Sequence, residues 1–320
     1  MARGPLFQNG YRPQFSGHET FPLRYGWLEK AYEAAARTEN DSENKYIFLG
    51  EEAIARFGVG KNMVASIRHW ESAAGVLNEP QGTPVIQTSE FGRMLFGPRG
   101  LDPYMEHPAT LWLIHWHLAA RPCKTTWFWA FNHCNAQIFE REHLVKGLSR
   151  LAKDLGWSRV AAATIKNDVA CFIRTYVSPL SSGPAGNDDM LESPLIELRL
   201  IKAIGKRDGF RFVRGPKSTL GEGVFIYGLL DFWRRHSKAA TTISFEAIAH
   251  EPGGPGRVFL LDENDVADRL AGLDQITRGK LRWSETAGLK QVVRDPDLNF
   301  EEALSWVKTE YSSTNRQETA

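Results

Sequence analysis

The sequence predicts a mainly α protein with small β ribbons, arranged as tandem helix-turn-helix or winged-helix-like units. Three observations predict it. Apolar residues recur at helical spacing over most of the chain. Helical stretches come in pairs separated by glycine turns, with short strand-like runs after them. The length of 320 residues, with 42% hydrophobic and 24% charged residues, is that of a globular chain with room for two or three domains.

In chain order, residues 1–12 are rich in Gly, Pro and Asn and are expected to be flexible. Glu51 to Phe57 forms a short helix, Gly58-Val59-Gly60 breaks it, and Asn62 opens a second helix that runs to Ala74. Met63, Ile67, Trp70 and Ala74 make its buried stripe, which leaves Lys61, Ala65, Arg68 and Ser72 on the far side. Thr83 to Ser89 follows as a strand or wing. Leu111 to Leu118 is apolar nearly all round and therefore a buried helix. Leu144, Leu148, Leu151 and Leu155 stripe another helix, ended by Gly156, and Ile165, Val169, Phe172 and Tyr176 stripe its successor. Arg159, Lys166, Asn167 and Arg174 stay on its other sides. The polar run Ser178 to Asp189 has two prolines and two glycines and reads as a linker. It divides a domain at 13–178 from a winged-helix-like domain at 191–311, with a linker at 179–190 and a disordered tail at 312–320. In that second domain Asp262 caps a helix carrying Val266, Leu270 and Leu273. Lys280 to Arg294 forms two strands around Thr286-Ala287-Gly288, and Asn299 with Glu302 opens the last helix by a reciprocal cap.

Charge separates these regions. The whole chain carries 39 basic against 38 acidic residues. Arg141 to Tyr176 holds seven Lys/Arg against three Asp/Glu, Arg199 to Lys217 seven against one, and Glu246 to Ala320 nine against fourteen. A polyanion would therefore meet the middle or N-terminal part and not the acidic last quarter. No apolar run reaches the ~18 residues of a membrane span, and the first residues lack the apolar stretch of a signal peptide. Three cysteines make no disulfide framework, so the expected location is cytoplasmic.

Dinucleotide-binding and Gly-x-Ser-x-Gly signatures are absent, and Gly58-Val59-Gly60-Lys61 has the wrong spacing for a phosphate loop, which disfavours an ordinary hydrolase, kinase or dehydrogenase. Cys123 and Cys134 have no Cys-x-x-Cys spacing for zinc. His117, Asn135 and His143 echo a His-Asn-His nuclease only loosely, because His117 sits on an apolar helix. Two clusters remain. Phe15 to Trp27 holds His18, Glu19 and Arg24 among aromatics: an imidazole beside a carboxylate can move a proton or hold a metal, and Arg24 can grip a phosphate oxygen. The alternative is that Glu19 caps and pairs with Arg24 while His18 fills a polar niche in the core. Asp102, Glu106 and His107 lie on a proline-punctuated turn, as metal ligands or as caps of the buried helix that follows.

Gly17 to Leu28, Phe57 to Val64 with Ser66 to Trp70, and Asp102-Pro103-Tyr104 with Pro108 to Trp112 resemble, in order, the motifs of a bacterial family first catalogued as a domain of unknown function, which includes SspB. The resemblance covers Phe15 to Trp129. It implies a DNA-binding nickase component of a DNA phosphorothioate modification and phage-defence system, opening one strand for sulfur insertion. It also implies a cysteine desulfurase, an ATPase and a sulfurtransferase as partners. No catalytic residues carry over with it. The chemistry of a nick points to His18, Glu19 and Asp102 as catalytic residues with a divalent Mg or Mn ion, to Arg24 on the phosphate, and to Lys61, Asn62 and Arg68 on the duplex. Arg159, Lys166 and Arg174 are a second duplex-binding set. The competing reading is a non-enzymatic DNA-binding adaptor that recruits the modification enzymes.

Overall fold

A computed structural model describes residues 4–39, 46–79, 85–178, 192–205, 208–286, 288–299 and 301–317. It is mainly α with small antiparallel ribbons, as the periodicities predict. Among the described residues no helix is long and apolar enough to cross a membrane.

The N-terminal third holds α1 (Trp27–Thr38), α2 (Gly50–Phe57) and α3 (Lys61–Ala74), then a two-strand ribbon of β1 (Leu77–Asn78) and β2 (Gln87–Thr88), and α4 (Glu90–Phe96). Gly58, in the left-handed region at φ 65°, ends α2 with its amide on the Ile54 carbonyl and turns the chain into α3. On α3, Ile67, Trp70 and Ala74 are buried, while Lys61, Asn62, Ala65 and Ser72 are exposed, as the stripe requires.

Two buried helices form the spine. Every residue of α5 (Pro108–Ala119) after Pro108 is buried, and α6 (Thr125–Asn132) follows. The second is α9 (Glu222–Ser237), buried from Gly223 to Trp233. The N-terminus of α9 has no cap of its own, and Glu310 of the last helix, α14 (Glu301–Gln317), accepts from the Val224 amide at 2.8 Å. A Cβ on Gly223 would lie 2.4 Å from the Trp306 carbonyl oxygen, so glycine there permits the close approach of the two helices.

Around the spine lie two units with the same connectivity. In the middle unit, β3 (Ile138–Glu140) leads to α7 (Arg141–Asp154), α8 (Ala162–Tyr176) and a 3-10 turn at Pro194–Leu198, then to β4 (Ile201–Ile204) and β5 (Gly209–Phe212). In the last unit, β6 (Thr242–Ser244) leads to α10 (Phe245–His250), α11 (Pro255–Val258), α12 (Glu263–Ala271) and α13 (Leu273–Thr277), then to β7 (Leu281–Thr286) and β8 (Leu289–Arg294). Both sheets are antiparallel and place the third strand between the first and the second: β3-β5-β4 and β6-β8-β7.

Three expectations on organisation differ from this arrangement. The linker expected at 179–190 lies outside the described residues, yet the chain on its two sides shares one sheet. Phe139 pairs with Phe210 across it, and one apolar core runs from Phe15 to Tyr311. Residues 4–12, expected to be flexible, are packed: Leu6 is buried against Phe128 and Leu151, and the Tyr11 hydroxyl donates to the Pro122 carbonyl at 2.8 Å. An apolar anchor and a long-range hydrogen bond outweigh the local Gly/Pro composition. The last helix extends to Gln317, past the Tyr311 expected to end the ordered chain.

Candidate nucleic-acid interface

Gly17 to Thr20 makes a tight turn in which Gly17, Glu19 and Thr20 all have positive φ, at 107°, 45° and 67°. Two consecutive non-glycine residues there store strain on the order of 1–3 kcal/mol each. What holds the turn is buried beneath it. The His18 ring, 3% exposed, accepts at Nδ1 from the Thr20 amide at 2.9 Å and donates from Nε2 to Asp168 Oδ1 of α8, also at 2.9 Å. The amide at Nδ1 fixes the proton on Nε2. The His69 ring of α3 stands edge-on to His18 at 5.5 Å, and Lys124 Nζ donates to His69 Nδ1 at 3.4 Å. Burial first, then the Lys124 charge, holds His69 well below its ordinary value, so it is neutral. A Cβ on Gly17 would lie 2.8 Å from His69 Nδ1. Glycine is required there both by φ and by the imidazole against it. Glu71, two residues on, is fully buried, and burial followed by the nearby Glu79 pushes its carboxyl up to about 8.

The predicted site residues are therefore not brought together. His18 has both ring nitrogens committed and lies in the core niche that the sequence left as the alternative. Glu19 is exposed at the tip of the turn. Asp102 is buried and holds the turn that leads into α5, which His107 caps: Oδ1 of Asp102 accepts from the Glu106 amide at 2.9 Å, and Oδ2 from the His107 amide at 3.0 Å and the Thr110 hydroxyl at 2.5 Å. Thr110 in turn meets the Tyr311 hydroxyl at 2.8 Å, so Asp102 fastens α14 to α5. Arg24 is buried, its guanidinium 5.4 Å from the Phe21 ring and 5.5 Å from the Trp27 ring, and is not presented to a phosphate. His18, Glu19 and Asp102 do not fit a divalent ion, because two of the three have their donor atoms engaged. Among the described residues no three His, Cys, Asp or Glu side chains gather to hold one.

The cations divide differently. Arg68 lies on the outer side of α3 but is spent on Glu79 of the ribbon, through three hydrogen bonds of 3.0 to 3.1 Å. Lys61 and Asn62 are exposed at the start of α3. On and just before α8, Arg159, Lys166 and Arg174 are all exposed, and none has a carboxylate within ion-pairing distance among the described residues. The Arg174 guanidinium donates to the Thr20 carbonyl, which joins this cationic face to the turn that carries Glu19.

Sequence reasoning missed Asp168, His69 and Lys124. A signal for the first was present: Asp168 lies three residues after Ile165 and four before Phe172, so a carboxylate interrupts the apolar stripe of α8. An acid on a buried face requires a partner, and His18 supplies it from 150 residues away. The two histidines of α5 point apart, as their spacing predicts. His115 donates from Nε2 to the Val258 carbonyl and accepts from Tyr176, while His117 donates to the Ala74 carbonyl and accepts from Tyr227.

The model of a family described as "protein of unknown function (DUF4007)" matches residues 15–311. Two solved structures resemble the chain over its length, a magnesium-ion-bound crystal structure of SspB and a second crystal structure of SspB. Each is 29% identical and covers 94% of this chain and 88% of its own, with TM-scores of 0.82 and 0.80. No curated protein matches the chain.

Proposed function

This chain belongs to the DUF4007 family, and from that membership, the likeness to SspB and the cation pattern we propose that it is a DNA-binding component of a DNA phosphorothioate modification system that nicks one strand for sulfur insertion. Its partners in this reading are a cysteine desulfurase, an ATPase and a sulfurtransferase. The observation that carries it is the outer face of α8 with the turn just before it, where Arg159, Lys166 and Arg174 stand exposed with no acidic partner among the described residues. Cations left unpaired are the ones available to exchange counterions for phosphates. We read both three-stranded units as winged-helix-like, with α8 as the helix that approaches the duplex and Lys61 and Asn62 as a second point of contact.

For the nick, Glu19 is the acid of choice, since among the three candidates its carboxylate alone is exposed. It takes the proton of a water whose oxygen attacks phosphorus. The P–O bond to the leaving oxygen breaks, and that oxygen is protonated from solvent. Arg174, bonded to the same turn, sits where charge builds up on the phosphate. His18 and Asp168 act beneath as positioning residues that hold the strained turn. A second reading, a non-enzymatic adaptor, is favoured by the engagement of both His18 nitrogens and both Asp102 oxygens.

Supercoiled plasmid separates the two. The wild type, assayed with Mg²⁺ or Mn²⁺ in the buffer, is expected to yield open circle, and Glu19→Gln to lower the rate by about 100-fold. Retardation of DNA on a gel with no nicking by the wild type would establish the adaptor, and equal nicking by Glu19→Gln would remove Glu19 from the mechanism.

A further inference from the structure

A cleft of about 500 Å³ separates the segment after β5 from α11 and α12, far along the chain from α8, and Arg214 and Arg257 both line it. The walls are fixed. The Gly215 amide donates to the Leu260 carbonyl at 3.0 Å, and the buried Lys217 donates from Nζ to the Gly215 and Leu260 carbonyls, at 2.5 and 3.1 Å. Arg257 is oriented by a hydrogen bond from Nε to the His250 carbonyl at 3.1 Å, which leaves its two terminal nitrogens for the cleft. Neither arginine has a carboxylate within ion-pairing distance among the described residues. Two acids, Asp262 and Glu263, also line the cleft, each with a partner other than the arginines. Glu263 pairs with His250 at 3.2 Å, and Asp262 caps α12 by accepting from the Asp265 amide at 2.9 Å. Arg214 is exposed at the cleft and Arg257 is half-buried, and each guanidinium lies in the field of the other. Two guanidiniums that face one cleft, neither ion-paired to a carboxylate among the described residues, form a site that an oxyanion completes.

We propose that this cleft binds a phosphate group, held between the guanidiniums of Arg214 and Arg257. The phosphate belongs to a nucleic-acid backbone or to a small phosphorylated molecule, and the cleft chemistry is common to both. The assignment does not depend on α8 contacting DNA.

Thermal unfolding of the full chain in sodium phosphate against sodium chloride at equal ionic strength tests it. The wild type is expected to gain about 2 °C or more in phosphate, and Arg214→Gln and Arg257→Gln are each expected to lose that gain. The same gain in both variants overturns the site, as does no gain in the wild type. A labelled duplex identifies the source. If the backbone supplies the phosphate, Arg214→Gln lowers the salt slope of duplex binding by about one. An unchanged slope with the phosphate effect lost assigns the cleft to a small phosphorylated ligand. A wild type that binds no duplex contradicts the function proposed above and leaves the phosphate result to decide the cleft on its own.

Discussion

The middle and last units share one connectivity and one strand order, but their surfaces are opposite. On α8 the exposed residues include Lys166, Asn167 and Arg174, and on α12 they include Glu263, Asn264 and Asp268. The last unit's helix arginine is turned inward: Arg269 pairs with Glu222 of α9 at 2.8 Å and donates to the Leu220 carbonyl at 2.9 Å. The same scaffold thus presents a face suited to a polyanion in one copy and a face suited to packing or to a protein partner in the other. Topology says where a helix is displayed; only its outward residues say to what. The difference extends inward. The middle unit is tied to the N-terminal turn by the buried Asp168–His18 pair, whereas the last unit is tied to the spine through apolar contacts of α10 to α12, the Arg269–Glu222 pair and the hydrogen bond from His115 to the Val258 carbonyl.

The largest effect is expected where that tie is cut. Asp168→Ala leaves His18 buried with an unmatched donor beneath a strained turn and should cost about 3 kcal/mol, read as a lower denaturation midpoint. An Asp268→Ala control on the exposed side of α12 should stay within about 0.5 kcal/mol. Equal losses would erase the contrast between the units.

Next comes Glu71. Its folded carboxyl is raised from an ordinary 4.5 to about 8, so between these values the native state holds a proton that the unfolded chain has released. Stability is then full below about pH 4.5 and falls as pH rises towards 8. Glu71→Gln should flatten this decline and, at pH 8, exceed the wild type by on the order of 1–2 kcal/mol. Melting temperatures from pH 5 to 8 check it, and a parallel decline in both proteins would place the titrating group elsewhere.

The smallest effect is expected for Arg68. Its exposed pair with Glu79 is worth about 0.5 kcal/mol, and because the guanidinium is already engaged, Arg68→Ala should weaken duplex binding by no more than about twofold. A loss matching that of an α8 cation would mean that Arg68 exchanges Glu79 for phosphate when DNA binds.

Local signals were legible in the sequence. The stripes of α3 and α8, the Asp262 cap and the pairing of β7 with β8 all follow from residues a few positions apart, as does the reciprocal pair in which Asn299 accepts from the Glu302 amide at 3.1 Å. These depend on backbone geometry that repeats every turn. The buried polar pairs depend on which distant segments share the core. His18 looks like a reactive imidazole until Asp168 is placed against it, and Asp102 looks like a ligand until Thr110 and two amides occupy its oxygens. The shared sheet of β3 and β5 was hidden for the same reason: a Pro/Gly-rich segment reads as a boundary when its flanks are not known to pair.

The central claim is that the α8 face, and not its acidic counterpart, holds DNA. The most direct measurement is the salt dependence of duplex binding for a combined Arg159→Gln, Lys166→Gln, Arg174→Gln variant, followed by anisotropy of a labelled duplex. With three phosphate-binding cations neutralised, the slope of log K against log salt should become shallower by about 2.7, while an Asp268→Asn variant on α12 keeps the wild-type slope. An unchanged slope in the triple variant, with duplex affinity intact, would contradict the account.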